Sequence, residues 1–502
     1  MSRAASVTKI AFGRVKELAA ARSAPVSSHS GKVTAGGIFV SLPKAVPVTE
    51  TGPDYSGAEK FLADAVNAGV AYIVCTESVL AKAAPLFTNE AEIFATVVPD
   101  TRVALGELAA AWFNTDTSPV SLLGITGTNG KTTTTYLLEA LLRGSGETPG
   151  VIGTVEYRWP GHEEASPLTT PDCMTLHGML AAMKDAGVTT ALMEVSSHAI
   201  EQNRIAGLRF EGALFTNLTQ DHLDYHKSME EYFAVKSRLF HNAGDTGPRA
   251  MAANVDDPYG ERLWGMVPGI LGFGFGSEGD NILSGKILEQ SRDGLHLSMN
   301  LDGQRWELRS PLVGTFNAYN LLGAQALALA FGVPVEAMTA LERFSGVPGR
   351  LERVLNPRGL SVFVDYAHTP DALEKAITAL RGAGFARIVT VFGCGGNRDK
   401  TKRPLMGRAA AALSDVVVLT SDNPRHEDPL AIMADVRPGL TGAKKVIEEA
   451  DRKKAIGEAL GLLGPEDALL VAGKGHEPYQ IIGDTRYPFS DQAVVREFLG
   501  CI

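Results

Sequence analysis

VSLLGITGTNGKTTTTYLLEALL, residues 120–142, is the stretch that decides the reading of this chain. An apolar run from Val120 to Ile125 leads into Gly127-Thr128-Asn129-Gly130-Lys131-Thr132. From Thr133 to Leu142, Tyr136, Leu137, Ala140 and Leu141 recur at helical spacing. Strand, glycine turn, Lys-Thr and helix is the arrangement that cradles a triphosphate. Glycines let backbone N–H groups approach phosphates, and the helix N-terminus adds partial positive charge. Lys131 can bridge the β and γ phosphates, and the Thr132 hydroxyl can ligate Mg²⁺. The spacing departs from the usual P-loop: Ile125 stands where its first glycine belongs, and Gly124 comes one residue early. The core is better written G-T-x-G-K-T, and an ordinary turn before a helix is the competing reading.

A chain of 502 residues is long enough for about three domains. Its 45% hydrophobic and 21% charged residues suit a soluble globular protein. A formal charge of −10 argues against a nucleic-acid coat, which needs a basic excess. Cys75, Cys173, Cys394 and Cys501 are scattered, without metal spacing or a disulfide framework. No apolar signal core follows Arg3, Lys9, Arg14 and Lys16, so a cytoplasmic location is expected. The apolar stretch Leu321 to Met338 is broken by Gln325, Pro334 and Glu336 and reads as a buried helix pair, not a membrane span.

Three domains are expected, at 1–115, 116–350 and 351–502. In the first, apolar runs such as Gly37 to Val40 and Ala71 to Val74 alternate with helical patterns such as Ala58 to Val66. Pro43 to Tyr55 reads as a loop, and Phe113 to Pro119 as a linker. Beyond it, apolar runs end repeatedly in chemically loaded residues. Thr189 to Val195 runs into Ser196-Ser197-His198, and Gly212 to Thr216 into Asn217-Leu218-Thr219-Gln220-Asp221-His222. Later runs end in Asp365-Tyr366-Ala367-His368, Gly393 to Asp399, Ser421 to Arg425 and Gly473 to Glu477. Alternating strands and helices imply an α/β fold with mostly parallel sheets. Ligands bind such sheets outside the carboxyl ends of the strands. Turn chemistry accounts for the glycines and for Asn423-Pro424, but not for recurring Glu, His, Asp and Arg.

These motifs together resemble the Mur ligases, ATP-dependent amide-forming enzymes of peptidoglycan precursor synthesis. The likeness rests on GTNGKT (127–132), MEVSSH (193–198), TNLTQDHLDYH (216–226), YFAVKSRLF (232–240), GTFNAYN (314–320) and GRLE (350–353). It extends through DYAHTPD (365–371), GCGGNRD (393–399), KRP (402–404), DNPR (422–425) and GKGHE (473–477). It is strong from about residue 120 onward and weak before. It implies a central ATPase domain of P-loop type with a mostly parallel sheet, a C-terminal Rossmann-like domain and a smaller N-terminal α/β domain that binds UDP.

By this resemblance, Gly127 to Thr133 hold the ATP phosphates, and Thr132, Glu194 and His222 hold Mg²⁺. Lys236 is expected to be carbamylated, which turns a cation into an anion able to help bind the metal. Asn317 or Asn320 and Asp365 would contact adenine and ribose, and Arg350 the phosphates. Lys131, Glu194, His222, Lys236 and Arg350 would form the catalytic set. Thr169, Thr170, Ser196, Gln202 and Arg204 match the positions for UDP-N-acetylmuramoyl-L-alanyl-D-glutamate. At the uridine end His29-Ser30-Gly31 replaces the family's Asp-Ser-Arg, so Ser30 alone is retained. Asp422, Asn423 and Arg425, with Arg398, Gly473 and Glu477, would form the amino-acid pocket.

Arg425 points to meso-diaminopimelate rather than lysine. The two differ by a distal carboxylate, which a guanidinium binds bidentately. The implied reaction has two steps, through an acyl phosphate. A monomer is expected, with small-molecule substrates and no nucleic-acid partner. A lysine-adding Mur ligase and a folylpolyglutamate synthetase-like ligase are the alternatives of the same class. A P-loop switch or motor ATPase is the alternative of another.

Overall fold

The structure, a computed structural model, describes residues 6–45, 53–88, 91–221, 225–241 and 247–501. Part of the expected loop at 43–55, and His222, therefore lie outside the described residues. Contacts divide the chain into two units: Met1–Gly272 with Ala326–Val333, and Phe273–Gln325 with Pro334–Ile502.

The first unit holds one parallel sheet and the parallel part of a second, mixed sheet, whose strands Glu156–Trp159 and His162–Ala165 pair antiparallel beyond Pro149–Ile152. One has the strand order Val7–Lys9, Ile93–Val97, Tyr72–Cys75, Ile38–Val40, Val26–Ser27. In the other, Ala250–Asn254, Gly212–Phe215, Ser121–Thr126, Thr190–Glu194 and Pro149–Ile152 lie side by side in that order. The decisive strand Ser121–Thr126 thus lies inside the sheet, with five of its six residues buried. That burial explains its unbroken apolar run. Gly124 belongs to this strand and not to the turn. A Cβ there would lie 2.8 Å from the Phe210 ring, so this early glycine makes room for an aromatic cover. The helix that follows, Lys131–Gly144, buries Leu137, Leu138, Leu141 and Leu142.

In the second unit six strands run in the order Glu352–Arg353, Ser361–Asp365, Asp467–Ala472, Arg387–Phe392, Val416–Leu419, Val446–Glu448. All pairs but the first are parallel. Helices cover both faces. Leu373, Ile377 and Leu380 pack with Phe363 and Phe392 on one side, and Ile456, Leu460 and Val495 with Val362 and Val391 on the other. This doubly wound sheet is the Rossmann-like architecture expected of the C-terminal region.

The expected helix pair at 321–338 is one helix, Thr315–Phe331, followed by the 3-10 segment Val335–Arg343. Antiparallel pieces are what the strand-and-helix reading did not foresee. Ile282–Ser291, Gly294–Leu301 and Gln304–Ser310 form a meander. Its second turn is Asp302-Gly303, with φ of +49° and +88°, the backbone a two-residue hairpin requires.

Within the first unit, helix Thr101–Phe113 packs on the segment after Glu201. A Cβ on Gly106 would meet the Ala206 carbonyl carbon at 2.5 Å. Alanine in place of a mid-helix glycine ordinarily stabilises by about 0.5–1 kcal/mol. At this contact the sign should reverse: Gly106→Ala is expected to cost about 1–3 kcal/mol through overpacking. A melting temperature equal to or above that of the wild type would disprove the close approach.

Candidate active site

The turn after Ser121–Thr126 is held by its neighbour strand. Asn217 O accepts from Thr128 N at 2.9 Å, and Asn217 Oδ1 accepts from Asn129 N at 3.0 Å. Thr216 Oγ1 donates to Asn129 O at 2.7 Å. Gly127 has a φ of +145°, and a Cβ there would lie 1.9 Å from Thr216 Oγ1. Gly130 caps helix Lys131–Gly144 in the left-handed region, so the helix N-terminus opens on this turn. Lys131 Nζ donates to Gly127 O and Thr128 O, both at 2.9 Å. Turn, helix dipole and lysine together form a site for a polyanion.

Beside it, Glu194 ends its strand fully buried. Thr132 Oγ1 donates to Glu194 Oε2 at 2.9 Å. Thr154 donates twice to the same carboxylate, N to Oε1 at 2.8 Å and Oγ1 to Oε2 at 2.9 Å. Gly153 leaves room for it, since a Cβ there would meet Glu194 Oε1 at 2.5 Å. Thr132 and Glu194 offer oxygen donors of the kind a hard cation takes, usually through one or two protein ligands plus substrate phosphates. Among the described residues no cluster of three or more His, Cys, Asp or Glu could hold a metal by itself.

Lys236, on helix Met229–Ser237, is almost wholly buried. Its Nζ donates to Gly127 O at 3.0 Å and lies 4.7 Å from the Tyr232 ring centre. Burial, and then the charge of Lys131, hold its pKa well below the ordinary lysine value. Two amines therefore converge on one carbonyl, that of Gly127.

Five of the six residues expected to take the muramoyl substrate are gathered in one network. Thr154 Oγ1 lies 3.1 Å from Thr169 Oγ1. Thr170 Oγ1 donates to Glu194 O at 2.8 Å and accepts from Ser196 N at 3.1 Å. Arg204 Nη1 donates to Thr170 O at 3.0 Å, and its Nη2 to Gln202 Oε1 at 2.8 Å. Gln202 Nε2 in turn donates to Tyr225 OH at 3.1 Å. Ser30 belongs to a separate 3-10 turn, Ser30–Lys32, in which His29 Nδ1 accepts from Gly31 N.

In the second unit, Asp365 accepts from Leu351 N at 2.6 Å and Ala367 N at 2.8 Å. Desolvation raises its pKa against the opposing charge of Arg350. The Arg350 guanidinium stacks 4.9 Å from the Tyr366 ring centre, and its buried Nε has no hydrogen-bond partner among the described residues. His476 packs against the same tyrosine, at 5.2 Å, and its buried Nδ1 is likewise unpartnered. Asn320 Nδ2 donates to Asn317 Oδ1 at 3.1 Å, and Asn317 Nδ2 to Val313 O at 2.9 Å.

The 422–425 turn is tied to the 473–477 turn. Asn423 Nδ2 donates to Glu477 Oε2 at 2.9 Å, and Asn423 Oδ1 accepts from Lys474 Nζ at 3.1 Å. A Cβ on Gly473 would lie 2.6 Å from Asp422 Oδ2. Arg425 has a φ of +52° and is half-buried. Its Nη1 donates to Gly396 O at 2.8 Å. A Cβ on Gly395 would be 3.0 Å from Arg425 Nη1 and 3.6 Å from Arg398 Cγ, so the two arginines flank one glycine. Glu477 is not reserved for a ligand: the wholly buried Lys474 also reaches it, at 3.4 Å.

Thr154 and Lys474 were not singled out from the sequence. Lys474 stands inside GKGHE and could have been. Thr154 follows an unremarkable Ile-Gly pair, with its carboxylate partner forty residues away.

Known proteins resemble this chain along most of its length. Residues 125–328 match the Mur ligase middle domain, and residues 349–475 the Mur ligase glutamate ligase domain. The chain is 54% identical over 479 residues to the UDP-N-acetylmuramoyl-L-alanyl-D-glutamate--2,6-diaminopimelate ligase of Lawsonia intracellularis, covering 94% of this chain and 95% of that one. It is 47% identical over 414 residues to the protein of the same name from Thermosynechococcus vestitus, covering 82% and 83%. A solved structure of a ligase of that name superimposes with a TM-score of 0.69 at 31% identity, covering 95% of this chain and 94% of that one. No helix among the described residues is long and apolar enough to cross a membrane.

Burial, with the Arg350 charge, pushes the His476 pKa down from 6.5 to about 4. Between those values the unfolded chain binds a proton that the folded imidazole refuses, so stability falls as pH is lowered through the window. Above about pH 6.5 this contribution is complete. His476→Asn should flatten the dependence of melting temperature on pH between 6.5 and 4. An unchanged slope would mean other groups cause it.

Proposed function

The chain belongs to the Mur ligase family, and on that premise we propose that it uses ATP to join meso-diaminopimelate to UDP-N-acetylmuramoyl-L-alanyl-D-glutamate. The γ-carboxylate of the D-glutamyl residue attacks the γ-phosphorus of ATP, and ADP leaves. The α-amine of diaminopimelate then attacks the acyl carbon, a proton is lost from nitrogen, and phosphate leaves the tetrahedral intermediate. The observation that carries the choice of amine is Arg425, set beside Arg398 on the 395–398 turn with Glu477 on the neighbouring turn.

The chain's own work is positioning and charge neutralisation. Lys131 leaves two carbonyls to meet phosphate oxygens. Thr132 and Glu194 would hold magnesium, whose charge offsets the repulsion between carboxylate and phosphate, and Thr154 orients that carboxylate. His222 would serve a second ion. Arg204, Gln202, Ser196, Thr169 and Thr170 take the muramoyl peptide, with Ser30 toward uridine. In the second unit, the unpartnered Nε supports Arg350 as a phosphate ligand, with Asn317, Asn320 and Asp365 for the nucleoside. The enzyme so read has domains at 1–115, 116–350 and 351–502 and acts as a cytoplasmic monomer.

The surroundings of Lys236 support its carbamylation. Attack on carbon dioxide needs an uncharged amine, and a buried lysine beside Lys131 favours that form. The product is an anion that attracts Lys131 where the ammonium would repel it. Lys236→Ala should lower turnover on the order of 100-fold, with partial recovery in added short carboxylates. Full activity of that variant would remove the carbamate from the mechanism.

A coupled assay for ADP tests the reaction. ADP should appear only when the muramoyl dipeptide and the amino acid are both present. ATP hydrolysis without either would favour a switch or motor instead. Breaking the pairing of a guanidinium with the distal carboxylate costs about 2–5 kcal/mol. Diaminopimelate should therefore outcompete lysine by about 30-fold or more. Equal turnover of the two amino acids would overturn the role of Arg425.

A further inference from the structure

The KRP motif at 402–404 has no part in the reaction described above, yet its arginine is one of the most deeply buried cations in the second unit. Arg403 lies on helix Lys402–Leu413 with its side chain 1% exposed. Its guanidinium grips Glu427 with both arms, Nη1 to Oε2 at 3.0 Å and Nη2 to Oε1 at 2.9 Å. Nη1 also donates to Asp435 Oδ2 at 2.8 Å, and Nη2 to Gly395 O at 3.3 Å. Glu427 then passes the connection on, since its Oε1 accepts from Asn397 N.

Those contacts join two turns. Gly395 and Asn397 belong to the turn that carries Arg398. Glu427 closes the turn that carries Arg425, its N donating to Pro424 O at 3.1 Å. Further bonds lace the same pair together: Gly396 N to Asn423 O at 2.9 Å, and His426 N to Asn397 Oδ1 at 3.1 Å. Asn397 and Arg425 both have φ of +52°. That region is uncommon for side chains other than Gly, Asn and Asp. A buried ion pair adds little stability over apolar side chains of the same size. Its two parallel hydrogen bonds do enforce one geometry.

We propose that Arg403 is a positioning residue for the amine substrate: through Glu427 and the Gly395 carbonyl it locks the 395–398 and 423–427 turns in the register that presents Arg398 and Arg425 together. The proposal rests on reading those two arginines as the amine pocket.

Steady-state kinetics with each substrate varied in turn would test it on Arg403→Lys, Glu427→Gln and a control, Arg387→Met. Arg387 also pairs with a carboxylate, Asp467, but at the amino end of the same sheet. In Arg403→Lys and Glu427→Gln the KM for diaminopimelate should rise about tenfold or more. The KM values for ATP and the muramoyl dipeptide should stay within about twofold, and the preference over lysine should shrink. Arg387→Met should show no change specific to the amine. If all three KM values rise together, if none moves, or if Arg387→Met behaves like the other two, Arg403 is only structural. Should Arg403→Lys fail to fold, Glu427→Gln decides alone, because it keeps the side-chain shape and removes only the charge. A wild-type enzyme indifferent to the two amino acids would overturn the choice of diaminopimelate instead. The effect of Arg403 would then be read on the KM of either amine.

Discussion

A β-carbon on residue 127 would stand 1.9 Å from the Thr216 hydroxyl, and everything around the phosphate turn depends on its absence. Two neighbouring strand ends can approach this closely only through glycine. The approach places Asn217 and Thr216 within reach of Thr128 and Asn129. It also aims the Gly127 carbonyl at two lysines. Lys131 and Lys236 both donate to that oxygen, at 2.9 and 3.0 Å. Two full positive charges so placed repel, and burial weakens the one farther from water. The difference between the two amines, one at the mouth of the turn and one buried beneath it, is therefore a consequence of where a single carbonyl points.

The second unit solves a related problem with buried ions. Arg452 and Asp491 are wholly buried and joined bidentately, at 2.8 and 2.7 Å. The same guanidinium donates to Ala472 O at 3.0 Å and Ser421 O at 3.4 Å. Those two carbonyls mark where the chain leaves the sheet, just before the 422–425 and 473–477 turns. Loops that must bring charges together over a parallel sheet cannot bond to each other as strands do. Side-chain cations that collect strand-end carbonyls do it for them.

What could be read in the sequence was what is local. The phosphate turn, the strand ends and Arg425 announce themselves within a few residues, because turn, helix start and ligand group are contiguous there. Gly124 seemed a misplaced member of the turn because its partner, the Phe210 ring, lies on another segment. Thr154 carries no local signature, and the KRP motif marks Arg403 without a role, since the first acts on a carboxylate forty residues away and the second on a loop twenty-four away. The meander at 282–310 escaped because its one clear mark, Asp302-Gly303, sits within strands too mixed in polarity to alternate cleanly. Which amine the pocket accepts was likewise reached through one residue, while the arrangement around that residue was not visible.

That arrangement bears on how the pocket can discriminate. Glu477 does not stand alone as a counterion for a distal ammonium, because Lys474 and Asn423 already share its Oε2. A ligand offering only an ammonium would meet a carboxylate whose charge is largely offset, beside two arginines. A ligand offering carboxylate and ammonium on the same carbon gives the arginines a charged acceptor in place of the Gly396 carbonyl now held by Arg425. A charge-assisted bidentate pair is stronger than a bond to a neutral carbonyl. Discrimination would then come less from attraction of the ammonium than from the charge-assisted pairing that only a second carboxylate offers the guanidinium groups. On the proposed reading of this pocket, a preference for an amino acid with a second carboxylate would be set by Lys474 as much as by Arg425: by engaging Glu477, it leaves the arginines as the dominant charge the substrate must answer.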